Sequence, residues 1–418
     1  MQDPPRLLSE FQRLPGHIKL DYEDFLVEEV PLYPLSGAGG HTFFLLEKRG
    51  LNTMQAVYDL SHALEVPRMR FGYAGIKDAR AVTRQWISVE GLDPEKLRNF
   101  EMARLKIVQV TRHGNKLKLG HLRGNRFDIR VRNTEPMRHP EIKQALAQLT
   151  ARGVPNYFGP QRFGLRGDNG DVGRALLLGD IDEALDLILG RAGHLDHGDI
   201  WHARKLYDEG QYETARNRWP GMFRDQRRAL KALAETGNPK RALLSIDRTS
   251  LRFYVSAYQS LLFNRVVARR MAEHGLEKLL VGDLAFRHRG GAIFRVEDAE
   301  REQPRAESLE ISPTGPLYGL RMTPAGGIPG EMESAVLSEE GAELRTFSQP
   351  PHRTPGGRRP LRFPVTDASV DLGADDRGSY LHLRFELPRG CYATSLLREL
   401  FMDAQEPGAE GDSGAEPE

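Results

Sequence analysis

The segment GYAGIKDARAVTRQWIS, residues 72–88, contains the side chains best suited to chemistry. Asp78 follows Lys77 directly and stands two residues before Arg80, on a turn that also contains glycine. A neighbouring cation lowers the pKa of a carboxyl group and keeps it ionised, as a carboxylate nucleophile or base requires. An exposed Lys-Asp turn with no function is the other interpretation, because such ion pairs are common on protein surfaces. The segment alone leaves both open.

A second feature is a basic stretch from Arg112 to Arg130, which holds six Lys or Arg residues against one acid, Asp128. The net charge of the whole chain is only +1. Binding to a polyanion responds to the local field, so this stretch predicts an RNA contact despite the near-neutral total. A solvated strand face is the alternative.

Other chemistry has little support in the sequence. His194, His197 and His202 in GHLDHGDIWH could ligate a metal, as in a metal-dependent hydrolase, but they lack the two-histidine spacing of a helical site, which favours a polar loop. The single cysteine, Cys391, excludes an internal disulfide. No Gly-x-Ser-x-Gly elbow occurs, so a serine hydrolase has no support. The glycine loop at 37–40 is followed by a strand-like segment and not by a helix, which argues against a nucleotide site. We predict neither a metal nor a cofactor.

The elements around Asp78 are predicted from hydrophobic periodicity. DFLVEE, with Phe25 and Val27, alternates as a strand, and HTFFLLEK is predicted as its neighbour. Thr53 is predicted to cap the helix TMQAVYDLSHALEV. Because a strand resumes at residues 85–89, Asp78 is expected on a loop. Residues 105–133 alternate again, with turns expected at 113–115 and 124–125.

The pattern becomes helical from about Pro140, and the last 60 residues return to a strand and a final helix. We therefore predict an α+β fold, with a mainly antiparallel sheet built from both chain ends, flanked by helices, and a helix-rich insertion. A chain of 418 residues is long enough for two domains. The predicted divisions are 1–153 and 346–403 for the sheet domain, 154–345 for the insertion, and 404–418 for a disordered acidic tail. No apolar run is long enough for a membrane span or signal peptide, so a cytoplasmic location is expected.

The segment around Asp78 resembles the catalytic motif of the TruD family of tRNA pseudouridine synthases, in which the nucleophilic aspartate follows a lysine. Further stretches are similar to that family in the same order: HIKLDYEDFLVEE, NKLKLGHLRGNRF, GVPNYFGPQRFG, a looser SAYQSLLFNRVVARR, and LPRGCYATSLLREL. The resemblance covers the chain except the acidic tail, loosely at 165–245 and 345–365. Extra residues after PQRFG and an Arg/Pro-rich link depart from the narrower bacterial pattern and leave the tRNA species open.

This resemblance implies an isomerase that converts uridine, at position 13 of tRNA, to pseudouridine without a cofactor. It implies Asp78 as nucleophile and Lys19 as its basic partner, with Phe25, Phe127 and Tyr392 around the uracil and Asn125 hydrogen-bonded to it. The side chains expected near RNA phosphates are Lys77, Arg80, Arg112, Lys116, Lys118, Arg123 and Arg162. A monomer with tRNA as partner, and no protein partner or membrane, is expected. The alternative is a non-catalytic RNA-binding protein on the same scaffold.

Overall fold

The computed structural model describes residues 4–98, 100–348 and 354–402, so the predicted acidic tail at 404–418 lies outside the described residues. The chain forms two compact units. Asn156–Arg362 makes up most of one unit, and Arg6–Pro155 together with residues 363–402 makes up the other. The predicted domain divisions at 153/154 and 345/346 stay predictions. None of the helices within the described residues is long and apolar enough to cross a membrane.

The strands are β1 (Phe25–Pro31), β2 (His41–Arg49), β3 (Phe71–Tyr73), β4 (Val82–Glu90), β5 (Glu101–Met102), β6 (Leu105–His113), β7 (Leu122–Val131), β8 (Val154–Pro155), β9 (Leu284–Arg287), β10 (Ile293–Arg295), β11 (Ile311–Leu317), β12 (Gly357–Pro360), β13 (Arg362–Phe363), β14 (Thr366–Asp375) and β15 (Gly378–Pro388). The helices are α1 (Thr53–Ala63), α2 (Glu95–Arg98), α3 (His139–Arg152), α4 (Asn169–Leu178), α5 (Ile181–Leu189), α6 (Gly198–Asp208), α7 (Tyr212–Arg218), α8 (Arg224–Thr236), α9 (Pro239–Ser245), α10 (Arg248–Glu273), α11 (Ala299–Glu307), α12 (Gly327–Glu339) and α13 (Ala393–Leu400).

A nine-stranded sheet dominates the unit that carries Asp78. Its strand order is β14-β15-β7-β1-β4-β2-β6-β5, with β3 paired to β4. The β1–β4 pair is parallel, and the other pairs of this sheet are antiparallel. Strands from both ends of the chain therefore meet in one sheet, and the predicted mainly antiparallel α+β fold is confirmed.

Alternate residues of the strands point to the same face of this sheet, and on one face, called the inner face here, most of them are apolar. Helices cover this inner face and bury its apolar side chains. Phe25 and Val27 of β1 and Phe127 of β7 pack with the apolar sides of α3 and α13 in one buried cluster. Phe44 of β2 and Ile87 of β4 pack with α1 in a second cluster. The two clusters lie on different strands of the same sheet, and the polar inner-face residues described below belong to neither.

The other unit is rich in helices. Helices α4–α10 and α12 contribute to one large apolar core, in which Trp219 and Tyr258 are almost fully buried. A four-stranded sheet with the order β10-β9-β11-β12 belongs to the same unit.

Three local predictions were wrong. β2 is not the neighbour of β1, because β4 pairs with both and lies between them. Gly124 and Asn125 lie inside β7 rather than in a turn. Gly124 is required there by close packing, since a Cβ atom at this position would lie 2.1 Å from the carbonyl oxygen of Leu387 on β15. The N-cap of α1 is Asn52, whose side chain accepts from the backbone N–H of Gln55, and Thr53 is freed for another contact.

Candidate active site

A buried row of polar side chains crosses the inner face of the large sheet. It contains Lys48 of β2, Thr83 and Gln85 of β4, and Glu29 of β1, all of which are at most 2% exposed. Asn125 of β7 is paired with Glu29 in strand register and extends the row onto β7, where its side chain is half-buried. Buried polar groups are costly unless they are hydrogen-bonded. The row therefore needs partners, and the loop between β3 and β4 supplies several of them.

The loop that carries Asp78 is held by Lys48 of this row and by Thr53 of α1. Lys48 donates to the backbone carbonyl oxygens of Lys77, at 3.3 Å, and of Asp78, at 2.8 Å. The hydroxyl of Thr53 accepts from the backbone N–H of Lys77 at 2.9 Å and donates to Gln85 at 2.8 Å. These contacts fix the backbone on which Asp78 stands, so its carboxylate is presented from a rigid loop.

Asp78 forms an ion pair with Lys19, which lies ahead of β1 in the sequence and is nearly fully buried. The second carboxylate oxygen of Asp78 accepts from the backbone N–H of Arg80 at 2.9 Å. About two fifths of the carboxylate side chain stays exposed, at 40%. The group is therefore both anchored and open to a ligand.

The electrostatic environment keeps Asp78 ionised. Burial raises the pKa of this carboxyl group, but the charge and hydrogen bond of Lys19 act in the opposite direction and are assisted by the Arg80 N–H and the Lys48 charge. The net result is a pKa of Asp78 below its ordinary value. A carboxylate in this state can act as a nucleophile or as a base at neutral pH.

Lys77 points the opposite way, into the sheet, and is only 6% exposed. Its ammonium group donates to the side-chain oxygen of Asn125 and lies 3.4 Å from a carboxylate oxygen of Glu29. Burial lowers the pKa of Lys77, and the charge of Glu29 opposes that shift. Burial likewise raises the pKa of Glu29. The predicted phosphate contact of Lys77 is wrong, because the ammonium is enclosed and held by partners on two strands.

Aromatic rings lie beside the ion pair. The Lys19 ammonium is 4.6 Å from the centre of the Phe25 ring. Phe127 meets Phe25 edge to face, with ring centres 6.1 Å apart, and stacks on Phe385 at 5.3 Å. Tyr392 is the N-cap residue of α13, four residues after the end of β15, and its place in a uracil pocket stays a prediction.

The sequence prediction missed Glu29, Lys48 and Phe385. Strand alternation could have found all three: Glu29 continues the inner-face series of Phe25 and Val27, Lys48 that of β2, and Phe385 that of β15. What alternation does not give is the strand order that brings these residues together.

The predicted phosphate-binding side chains are distributed over both units. Arg112, Lys118 and Arg123 are exposed, and Lys116 is half-buried, with its ammonium donating to the backbone of Met69. Arg123 pairs with Glu386 at 2.9 Å. Arg80 is half-buried next to Asp78. Arg162 belongs to the other unit, where it bonds to the hydroxyls of two α10 serines.

The histidine cluster does not converge on one point. His197 is the N-cap residue of α6, and His202 packs edge-on against the Trp201 ring. Within the described residues, no group of three or more His, Cys, Asp or Glu side chains is placed to hold a metal ion.

The fold and the site define an α+β protein whose sheet presents an ion-paired carboxylate beside aromatic rings. The model of the family described as tRNA pseudouridine synthase D (TruD) matches residues 5–400. A tRNA pseudouridine synthase D of Geobacter metallireducens is 42% identical over 92% of this chain and 94% of its own length. One from Geobacter sulfurreducens is 41% identical over 95% of this chain and 97% of its own length.

A crystal structure from Methanosarcina mazei, titled as a TruD protein, has a TM-score of 0.82 and 28% identity, and the similarity covers 93% of this chain and 94% of that one. The chain belongs to the TruD family of tRNA pseudouridine synthases, which are isomerases. The resemblance identified in the sequence is thereby confirmed.

Proposed function

We propose that the protein isomerises a uridine of tRNA, at position 13, to pseudouridine, with Asp78 as the nucleophile. The observation that carries this proposal is the ion pair between Lys19 and Asp78, in which an ionised carboxylate keeps 40% of its side chain exposed. An anchored anion with one open side is the arrangement that attack on a sugar carbon requires.

The reaction conserves atoms and electrons. The bond between N1 of uracil and C1′ of ribose breaks, the base turns, and a new bond joins C5 to C1′. C5 loses a proton, and N1 holds one in the product. Asp78 acts either by direct attack at the sugar or by assisting departure of the base through a glycal-like species. Both routes use its ionised form, which Lys19 maintains. No cofactor enters this balance.

The target uridine must leave its stack to reach Asp78, because a stacked base buries the sugar carbon and its own edge. Phe25 and Phe127 lie beside the ion pair, and we assign both rings, together with Tyr392, to the pocket that receives the base. Ring faces replace the stacking energy that the base loses on extrusion. Asn125, two residues from Phe127 on the inner face, is assigned to the base edge.

Basic side chains outside the proposed uracil pocket are assigned to the RNA backbone. Arg112, Lys118 and Arg123 present their charges to solvent, and we add Arg80, Lys116 and Arg162 as contacts. Such contacts fix the register of the RNA and make its affinity depend on salt. We further propose that the protein acts as a monomer in the cytoplasm.

A tritium-release assay tests the proposal against its alternatives. With tRNA labelled at C5 of uridine, turnover places the label in water, and we expect release at the same rate with and without a chelator. Binding of tRNA without release would favour a non-catalytic RNA-binding protein and refute the proposed reaction. Release that the chelator abolishes would instead favour metal-dependent chemistry.

A further inference from the structure

Lys77 is the feature of the site that the proposed function does not use. It stands next to the nucleophile in the sequence, yet its side chain turns away from Asp78 and ends between Glu29 and Asn125. A buried lysine is expensive, and here two strands provide partners for it. This cost suggests a task beyond filling space.

The contact with Asn125 has a fixed polarity. An ammonium group only donates hydrogen bonds, so the atom of the Asn125 amide that faces Lys77 must be its oxygen. The amide nitrogen then faces away from Lys77. Within the described part of the chain, the Asn125 nitrogen donates to no protein acceptor, and the side chain is half-buried. Lys77 thus leaves an N–H donor without a protein partner.

Strand β7 places this N–H donor next to the ring of Phe127. Asn125 and Phe127 are two residues apart on β7 and therefore project from the same face. A base that lies against Phe127 would present its edge to Asn125. An N–H₂ group matches a carbonyl oxygen of uracil, and it repels a group that itself donates, such as the exocyclic amine of cytosine.

We infer that Lys77 is a positioning residue that locks the Asn125 amide with its N–H₂ toward the substrate, so that the site selects a base with a carbonyl at that edge. The inference rests on the proposed function, because it takes uracil as the occupant. Lys77 itself touches no substrate. Glu29 completes the arrangement, since its carboxylate lies 3.4 Å from the buried ammonium of Lys77. Without Lys77, the amide is free to turn its oxygen toward the pocket, where it would meet the uracil carbonyl and repel it.

Single-turnover conversion of three RNAs tests this inference. The RNAs carry uridine, 2-thiouridine or 4-thiouridine at the target position, and the products are separated by nucleoside chromatography. Sulfur is a weaker hydrogen-bond acceptor than oxygen. We therefore expect the intact protein to convert one of the two thio-RNAs more slowly than the uridine RNA, by about fivefold.

The variant Lys77→Met/Glu29→Gln removes both buried charges together and so avoids an unpaired carboxylate. We expect it to slow the uridine reaction about tenfold and to reduce the thio penalty to less than about twofold, because the amide no longer holds one orientation. Asn125→Asp is a second variant that keeps a partner for Lys77 but has no N–H donor, and it should lose the penalty as well.

The matched control is Arg270→Met/Asp283→Asn, which neutralises a buried ion pair of the other unit. It should lower stability but keep the thio penalty. If the Lys77 variant slows all three RNAs by one common factor, or if the intact protein shows no penalty with either thio-RNA, Lys77 has only a structural role and the inference is wrong. Failure of the intact protein to convert even the uridine RNA would refute the proposed function itself, and the inference with it.

Discussion

Replacing Lys19 by methionine isolates the role of its charge. The ammonium is nearly enclosed, lies over the Phe25 ring and pairs with Asp78. Methionine has a similar length and can keep the contact with the ring. Asp78 is 40% exposed and can be solvated after the loss of its partner, so the fold should persist. Lys19 has a positive φ of 58°, a strain that methionine inherits unchanged and that therefore does not complicate the comparison.

The expected effect follows from what remains at Asp78. The Arg80 N–H still donates to the carboxylate, and the charge of Lys48 still lowers the pKa of Asp78. Losing one of several stabilising groups in a preorganised site typically lowers the rate by about 100-fold. Lys19→Arg retains the charge and should recover part of this loss.

The pH dependence gives a second readout with a definite sign. Asp78 acts as a carboxylate, so activity falls as the pH drops through its pKa. Lys19 lowers that pKa, and burial alone raises it. Removing Lys19 must therefore raise the pKa and move the acid limb of kcat/KM toward higher pH.

The assay is tritium release from C5-labelled tRNA from about pH 4, close to the ordinary pKa of an aspartate, up to about pH 8. Lys143→Met, the same exchange at an exposed position of α3, is the matched control and should leave the profile unchanged. If Lys19→Met retains the full rate with an unmoved acid limb, the reasoning about this ion pair is refuted.

Three further outcomes are expected. Lys48→Met should lower the free energy of unfolding by about 2–4 kcal/mol, because it leaves buried carbonyl oxygens without their donor, and denaturant titration showing no change would contradict this. Lys116→Ala/Lys118→Ala should flatten the salt dependence of tRNA affinity by about one unit of slope per lost phosphate contact, relative to Lys143→Ala, and an unchanged slope would exclude both lysines from the RNA path. Phe385→Leu should lower the free energy of unfolding by about 1 kcal/mol in a thermal melt and slow turnover several-fold, because it removes the ring that stacks on Phe127. Unaltered turnover would show that Phe385 does not support the pocket.

The fold class was predictable because alternation and helical periodicity are local properties of the sequence. β1 and β4 appear where the pattern indicates them, and Asp78 lies on the loop between β3 and β4. The neighbour of β1 was not predictable in the same way. β2 follows it in the chain, but β4 inserts between the two as a parallel partner, and strand order depends on long-range packing that no local pattern encodes.

The site divides along the same line. The resemblance pointed to Asp78 and Lys19, and the structure brings these residues together across 59 positions of sequence. Lys77 was predicted to contact an RNA phosphate. Its burial depends on Glu29 and Asn125, which register pairing alone brings side by side. The position of Phe385 opposite Phe127 follows only from the pairing of β15 with β7.

The most direct test of the account is turnover by Asp78→Asn, measured as tritium release together with tRNA affinity. We expect turnover to be abolished while tRNA affinity stays within a few-fold, because the exchange removes the anion and no phosphate contact. Asp376→Asn, an equal exchange at an exposed position between β14 and β15, should retain turnover. Release of tritium by Asp78→Asn at the rate of the unaltered protein would contradict the assignment of the nucleophile.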